Sequence, residues 1–114
     1  MENQHRRIAG YRELTQVEID LMNEIKALGP VIEGVIIKVN AHLEAQQDEL
    51  YGRVFDPEIG RKVAYGSQLP DEEVKAGLER LKEATPERFA ALAKSDFQTA
   101  LMCLTRAVAQ PTFF

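Results

Sequence analysis

Cysteine is nearly absent from this sequence: Cys103 stands alone among 114 residues. One thiol closes no internal disulfide and holds no metal by itself. Cys103 lies within a helical apolar pattern and reads as a small buried hydrophobe rather than a nucleophile, so a reducing cytoplasm is the expected setting. Long apolar runs are missing too. No window reaches about 18 uninterrupted apolar residues, and the opening Met-Glu-Asn-Gln-His-Arg-Arg has no apolar stretch, which leaves membrane spanning and secretion unsupported. Positive charge is not in excess, with a net charge of -4 and a pI near 5.2. The chain therefore lacks the basic footprint that non-specific duplex DNA binding relies on, and an anionic ligand must be met by a local basic cluster.

Catalytic constellations are also missing. His5 and His42 fall on different segments with no cysteine or carboxylate at ligand spacing, which argues against zinc. No Gly-rich phosphate loop, nucleophile elbow or repeated Glu-x-x-His motif occurs. The expectation is a protein that binds rather than converts, with no cofactor and no metal.

What is present describes a folded chain. A hydrophobic fraction of 45% and a charged fraction of 28% are ordinary for globular proteins, and 114 residues suffice for a single domain, 1–114. Residues 1–14 form an N-terminal basic segment. Thr15-Gln16-Val17-Glu18 is a capping box, predicting a helix over 16–49. Leu21, Ile25, Leu28, Ile32, Val35, Ile36, Val39 and Leu43 recur along it at three- and four-residue spacing, giving one apolar face. Gly29-Pro30 predicts a kink. Ile19, Met22, Val31 and Ile37 lie off the main stripe, so one partner helix cannot cover both faces.

Gly52, Pro57, Gly60, Gly66 and Pro70 punctuate residues 51–70, read as a loop with little regular structure. A short helix over 71–83 follows from Asp71-Glu72-Glu73 and the spacing of Val74, Leu78 and Leu81. Thr85-Pro86-Glu87 starts a second long helix over 86–110, whose stripe is Phe89, Ala93, Phe97, Ala100, Leu101, Leu104, Ala107 and Val108, ended by Pro111. The fold class is all-α: an antiparallel helical hairpin with a kinked first helix and a short extra helix. Such a hairpin leaves much apolar surface uncovered, which points to a compact homo-oligomer. The alternative is that the short helix and the loop cover the second face within one chain.

Three groups are candidates for ligand contact. His5-Arg6-Arg7 with Tyr11 and Arg12 can bind phosphate and stack on a base, or be a solvated tail. Lys26 shares a side with Ile19, Met22 and Ile37, placing its ammonium at a seam or pocket, unless its stem covers apolar surface while the head reaches water. Arg88, Ser95, Thr99 and Arg106 fall within about 40° of one another opposite the core stripe, with Met102 close by. They form a polar stripe or simply a wet helix face.

Two stretches, Arg7-Ile8-Ala9-Gly10-Tyr11-Arg12-Glu13-Leu14-Thr15 running on through Lys26, and Arg88-Phe89-Ala90-Ala91-Leu92-Ala93-Lys94-Ser95 running on to Pro111, resemble the phage anti-CBASS cyclic-oligonucleotide sponges. Their helical hairpin is shared with the Thoeris anti-defence sponges. The resemblance implies a cytoplasmic homohexamer that sequesters cyclic di- and trinucleotides, cGAMP among them, without cleaving them. It implies that Tyr11 stacks on a base of the cyclic dinucleotide and that Lys26 contacts its phosphates from a neighbouring subunit. Ala27 and Leu28 stand where the family has a threonine, which assigns Leu28 to the same site. A separate trinucleotide pocket would draw on Ile8, Ala9 and Arg88, with Arg12, Ser95 and Thr99 as further phosphate contacts. Phe89 replaces a tryptophan of the family, and the segment around 45–84 is longer. A helical adaptor acting on another protein and a nucleotide-degrading enzyme remain the competing classes.

Overall fold

A computed structural model describes residues 12–113. In chain order it contains α1 (Gln16–Tyr51), β1 (Arg53–Asp56), β2 (Arg61–Ala64), α2 (Asp71–Ala84) and α3 (Pro86–Ala109). The chain divides into two compact units, Met1–Val35 with Ala93–Phe114, and Ile36–Leu92. The long helices α1 and α3 contribute to both.

In the first unit, α1 opens with the reciprocal bonds of a capping box. The Glu18 amide donates to Thr15 Oγ1 at 3.2 Å, and Glu18 Oε1 accepts from the Thr15 amide at 2.9 Å. Two amides without helical partners are thereby satisfied. Arg12 closes the arrangement from outside. Its guanidinium is paired with both Glu18 oxygens, and its Nη2 donates to the Val108 carbonyl at 2.8 Å, which fastens the start of α1 to the last turn of α3. Pro30 lies inside α1, and the helix carries on past it. α3 ends at Ala109, where Gln110 adopts φ 53° and its amide returns to the Arg106 carbonyl at 2.8 Å.

The second unit corrects the expectation of an irregular 51–70 segment and of an all-α chain. β1 and β2 pair antiparallel, with Val54 opposite Val63 and Phe55 opposite Lys62. Val54 and Phe55 on β1 and Val63 on β2 favour the pleated conformation. Asp56 builds the connecting turn: its Oδ1 accepts from the Glu58 amide at 2.9 Å, and its carbonyl accepts from Gly60 at 2.7 Å with Gly60 at φ 75°. Lys62 then ties the hairpin to α1 through Glu44 and Asp48, and that pair of carboxylates raises the lysine pKa. α2 packs on α1 where Gly77 meets Leu50; a Cβ on Gly77 would lie 2.7 Å from Leu50 Cδ2. Thr85, at φ 45°, ends α2, and its carbonyl accepts the Arg88 amide at the start of α3.

Leu50, at 8% exposure, is the one buried hydrophobic side chain among the described residues. The apolar stripes exist, yet Leu21, Leu28, Val35 and Val39 of the main face stay exposed, as do Val31 and Ile37 of the second face. So do Phe89, Phe97 and Leu104 on α3. Cys103, expected to be buried, is a free and exposed thiol, because it sits off the side of α3 that meets α1. No helix of the described residues is long and apolar enough to cross a membrane.

Candidate ligand-binding site

Within the first unit, α1 and α3 line an open cavity of about 720 Å³, in the size range of small-ligand sites. α1 supplies Met22, Asn23, Ile25, Lys26 and Gly29, and the last turns of α3 supply Leu101, Met102, Thr105 and Arg106. Ala109 and Pro111 complete the wall where the chain leaves α3. Helical geometry explains the α1 set: residues three and four apart share a side, so Met22, Lys26 and Gly29 point one way. Gly29 has no side chain to fill the space beside them.

The lining combines apolar walls with two cations, Lys26 and Arg106, and carries no aspartate or glutamate. In a chain of net charge -4, such a local reversal of sign is what an anionic ligand requires. Asn23 offers an amide able to donate and accept, suited to a base edge. The Thr105 hydroxyl donates to the Leu101 carbonyl at 2.9 Å, so toward the cavity it offers lone pairs. Met102 is 71% exposed and presents a polarisable apolar surface to a flat ring.

The sequence-stipulated residues are distributed unevenly. Lys26 lines the cavity, whereas Leu28, about 200° further round the helix, lies outside that wall and is exposed. Arg12 is engaged with Glu18 and Val108, and this hydrogen-bonded pairing with Arg12, helped by the Thr15 amide, lowers the Glu18 pKa to about 2. Ser95 and Thr99 are exposed on α3 within the same unit but away from the cavity lining. Arg88 belongs to the second unit, its Cζ 5.4 Å from the Phe89 ring centroid. Ile8, Ala9 and Tyr11 lie outside the described residues. Asn23 and Thr105 escaped sequence reasoning, although Asn23 stands one helical turn before Lys26 and Thr105 directly precedes Arg106. A second cavity, about 400 Å³ and confined to the second unit, is lined by Gln47, Tyr51, Leu78, Leu81, Lys82 and Glu87. Among the described residues no cluster of histidine, cysteine and carboxylate could hold a metal.

No family profile matches the chain. Over 116 aligned positions, covering 97% of each chain, it is 47% identical to Anti-CBASS protein 2 of Pseudomonas phage JBD67. This chain belongs to the anti-CBASS protein family. Because the match covers nearly the whole of both chains, it takes in the β-hairpin and α2 as well as the two stretches that carry the resemblance in the sequence.

Proposed function

We propose that this anti-CBASS family member binds and sequesters cyclic di- and/or trinucleotide second messengers without cleaving them, and so blocks CBASS-type antiphage signalling in the cytoplasm of the infected host. The observation that carries the reading is the cavity of the first unit, with two cations and no acid in its lining on an otherwise acidic chain. Membership of the family supports the antiphage setting. A cyclic dinucleotide brings two phosphates and two flat bases, and Lys26 with Tyr11 can meet one of each. Repeated by a symmetry-related subunit, the pair matches the ligand's own pseudo-symmetry. Stacking supplies about 1–3 kcal/mol per base. Ile8, Ala9 and Arg88 are assigned to a separate trinucleotide pocket, and Leu28 to the rim of the dinucleotide site. Arg12, Ser95 and Thr99 serve as outer phosphate contacts, Arg12 by exchanging Glu18 for phosphate.

The same reading makes the protein a homo-oligomer, with a hexamer as the expected state, since the uncovered stripes of α1 and α3 need partners. Calorimetric titration with a panel of cyclic di- and trinucleotides tests it directly. Wild type is expected to bind at least one, Tyr11→Ala and Lys26→Ala to weaken dinucleotide binding at least tenfold, and intact ligand to be recovered after heat denaturation. A folded oligomer that gives no heat with any of them refutes the reading, and appearance of a cleavage product refutes sequestration. The exposed Val31 and Ile37 face supports one competitor, an adaptor that docks on another protein. A stable monomer in light scattering would favour it.

A further inference from the structure

Among the described residues, Arg12, Lys62 and Arg106 are held differently. Arg12 is matched by Glu18, and Lys62 by Glu44 and Asp48. Arg106, in contrast, donates from Nη2 to a neutral acceptor, the Phe113 carbonyl, at 2.6 Å. Among the described residues no carboxylate pairs with it, and the bond to the carbonyl gives its guanidinium a direction. The chain achieves this by reversing after α3. Gln110 takes the left-handed conformation, its amide closes on the Arg106 backbone carbonyl, and Pro111 enters the cavity wall. One guanidinium carries five N–H donors in a planar fork, so a single bond to a carbonyl leaves the rest of the fork for a second partner.

Resting on the reading that this cavity takes a cyclic nucleotide, we propose that Arg106 is a ligand-contacting residue that grips a phosphodiester opposite Lys26, and that the C-terminal tail, residues 110–113, positions it. Lys26 supplies a point charge. Arg106 supplies bidentate geometry, which fixes the orientation of a planar anionic group. The Phe113 carbonyl orients the fork before the ligand arrives, which spares the loss of side-chain freedom on binding. The tail is thus part of the site although none of its own side chains is charged.

The test is calorimetry with cGAMP on wild type, Arg106→Gln, Arg106→Lys, a chain stopped after Pro111, and the stopped chain carrying Arg106→Gln. Loss of a charge-assisted contact is expected to weaken binding by about ten- to a hundredfold in Arg106→Gln. Arg106→Lys should recover only part of this, because it keeps the charge and loses the fork. Sedimentation and melting of both variants should match wild type. The stopped chain is expected to bind several-fold more weakly, with no further loss when Arg106→Gln is added, since a positioning tail acts only through the residue it positions. Equal affinity of Arg106→Gln and wild type overturns the contact. An equal truncation effect in both backgrounds, or tighter binding by the stopped chain, overturns the positioning role. Failure of wild type to bind any cyclic nucleotide is a different result, and it refutes the proposed function itself.

Discussion

Substituting Ile37→Asp asks whether the uncovered apolar surface drives assembly. Ile37 is 60% exposed on α1. Burying an isoleucine side chain fully is worth about 1.5–3 kcal/mol, so the part still open represents roughly 1–2 kcal/mol per copy. At an interface with two-fold symmetry the residue counts twice, giving about 2–4 kcal/mol per contact. Aspartate forfeits that gain and adds the desolvation of a carboxylate. Dissociation should therefore become easier by at least about thirtyfold. Sedimentation velocity across a concentration series reads this shift as smaller species in Ile37→Asp, with Gln68→Asp, exposed and outside the helices, as the control that retains assembly. Wild type is expected to reach a multiple of its 12.8 kDa mass. A wild-type chain that stays monomeric at roughly 100 μM, far above the working range of stable complexes, refutes the argument from uncovered surface. An Ile37→Asp variant that sediments like wild type refutes the assignment of this face.

Further predictions concern the frame that holds the site. Gly52→Ala should destabilise by about 3 kcal/mol or more, because Gly52 has φ 65° and an added Cβ would lie 2.0 Å from the Gly66 carbonyl carbon. Gly60→Ala, at φ 75° with open space around it, should cost only about 1–2 kcal/mol; equal urea midpoints for the two would contradict the close approach at Gly52. Glu18, with its pKa lowered from 4.5 to about 2 by Arg12 and Thr15, favours the folded state in its ionised form. Its contribution is complete above the ordinary carboxylate range and drains away as pH falls from about 4.5 toward 2. The melting-temperature gap between wild type and Glu18→Gln should close over that interval, and a gap that persists at pH 2 would show that the pairing is not its origin. Lys62 behaves in the opposite sense. With its pKa raised by Asp48 and Glu44, its stabilisation is present at neutral pH and lost only at strongly alkaline pH, so Lys62→Met should lower the melting temperature at pH 7 by a small, salt-sensitive amount.

The parts of the fold legible in the sequence were those whose signals are local. Thr15 and Glu18 are three residues apart, and the bonds they make are the ones that spacing calls for. The β-hairpin was not legible, because four-residue strands are too short for a period-two pattern to emerge from Arg53-Val54-Phe55-Asp56 and Arg61-Lys62-Val63-Ala64. Glycine and proline on either side masked them further. The informative feature was Asp56-Pro57-Glu58-Ile59-Gly60, a turn with an aspartate able to cap its amides and a glycine at the left-handed position. On α3, helical spacing grouped Arg106 and Met102 with Arg88, Ser95 and Thr99. Only a tertiary contact could separate them: α1 reaches Met102 and Arg106, while the others stay outside the cavity. The same dependence explains Cys103. Apolar neighbours in sequence do not bury a thiol when no second element covers that side of the helix.

The placement of charge distinguishes frame from site more sharply than burial does. Arg12 and Lys62 each join two elements, and each is paired with carboxylates. A fold that needed only stability would treat Lys26 and Arg106 likewise, because two like charges sharing an acid-free cavity disfavour the unliganded state. Instead, Arg106 is held by a neutral carbonyl on a tail that has turned back to reach it. That arrangement contributes orientation without cancelling charge. On the proposed reading, that cost is reversed when an anion enters and each cation gains a partner. Binding then adds to stability in proportion to the logarithm of ligand concentration over the dissociation constant. A sequestering protein needs no more than this. Its ligand has only to leave the solvent and stay bound, so two cations beside apolar walls suffice where a catalyst would also need a nucleophile and a proton carrier.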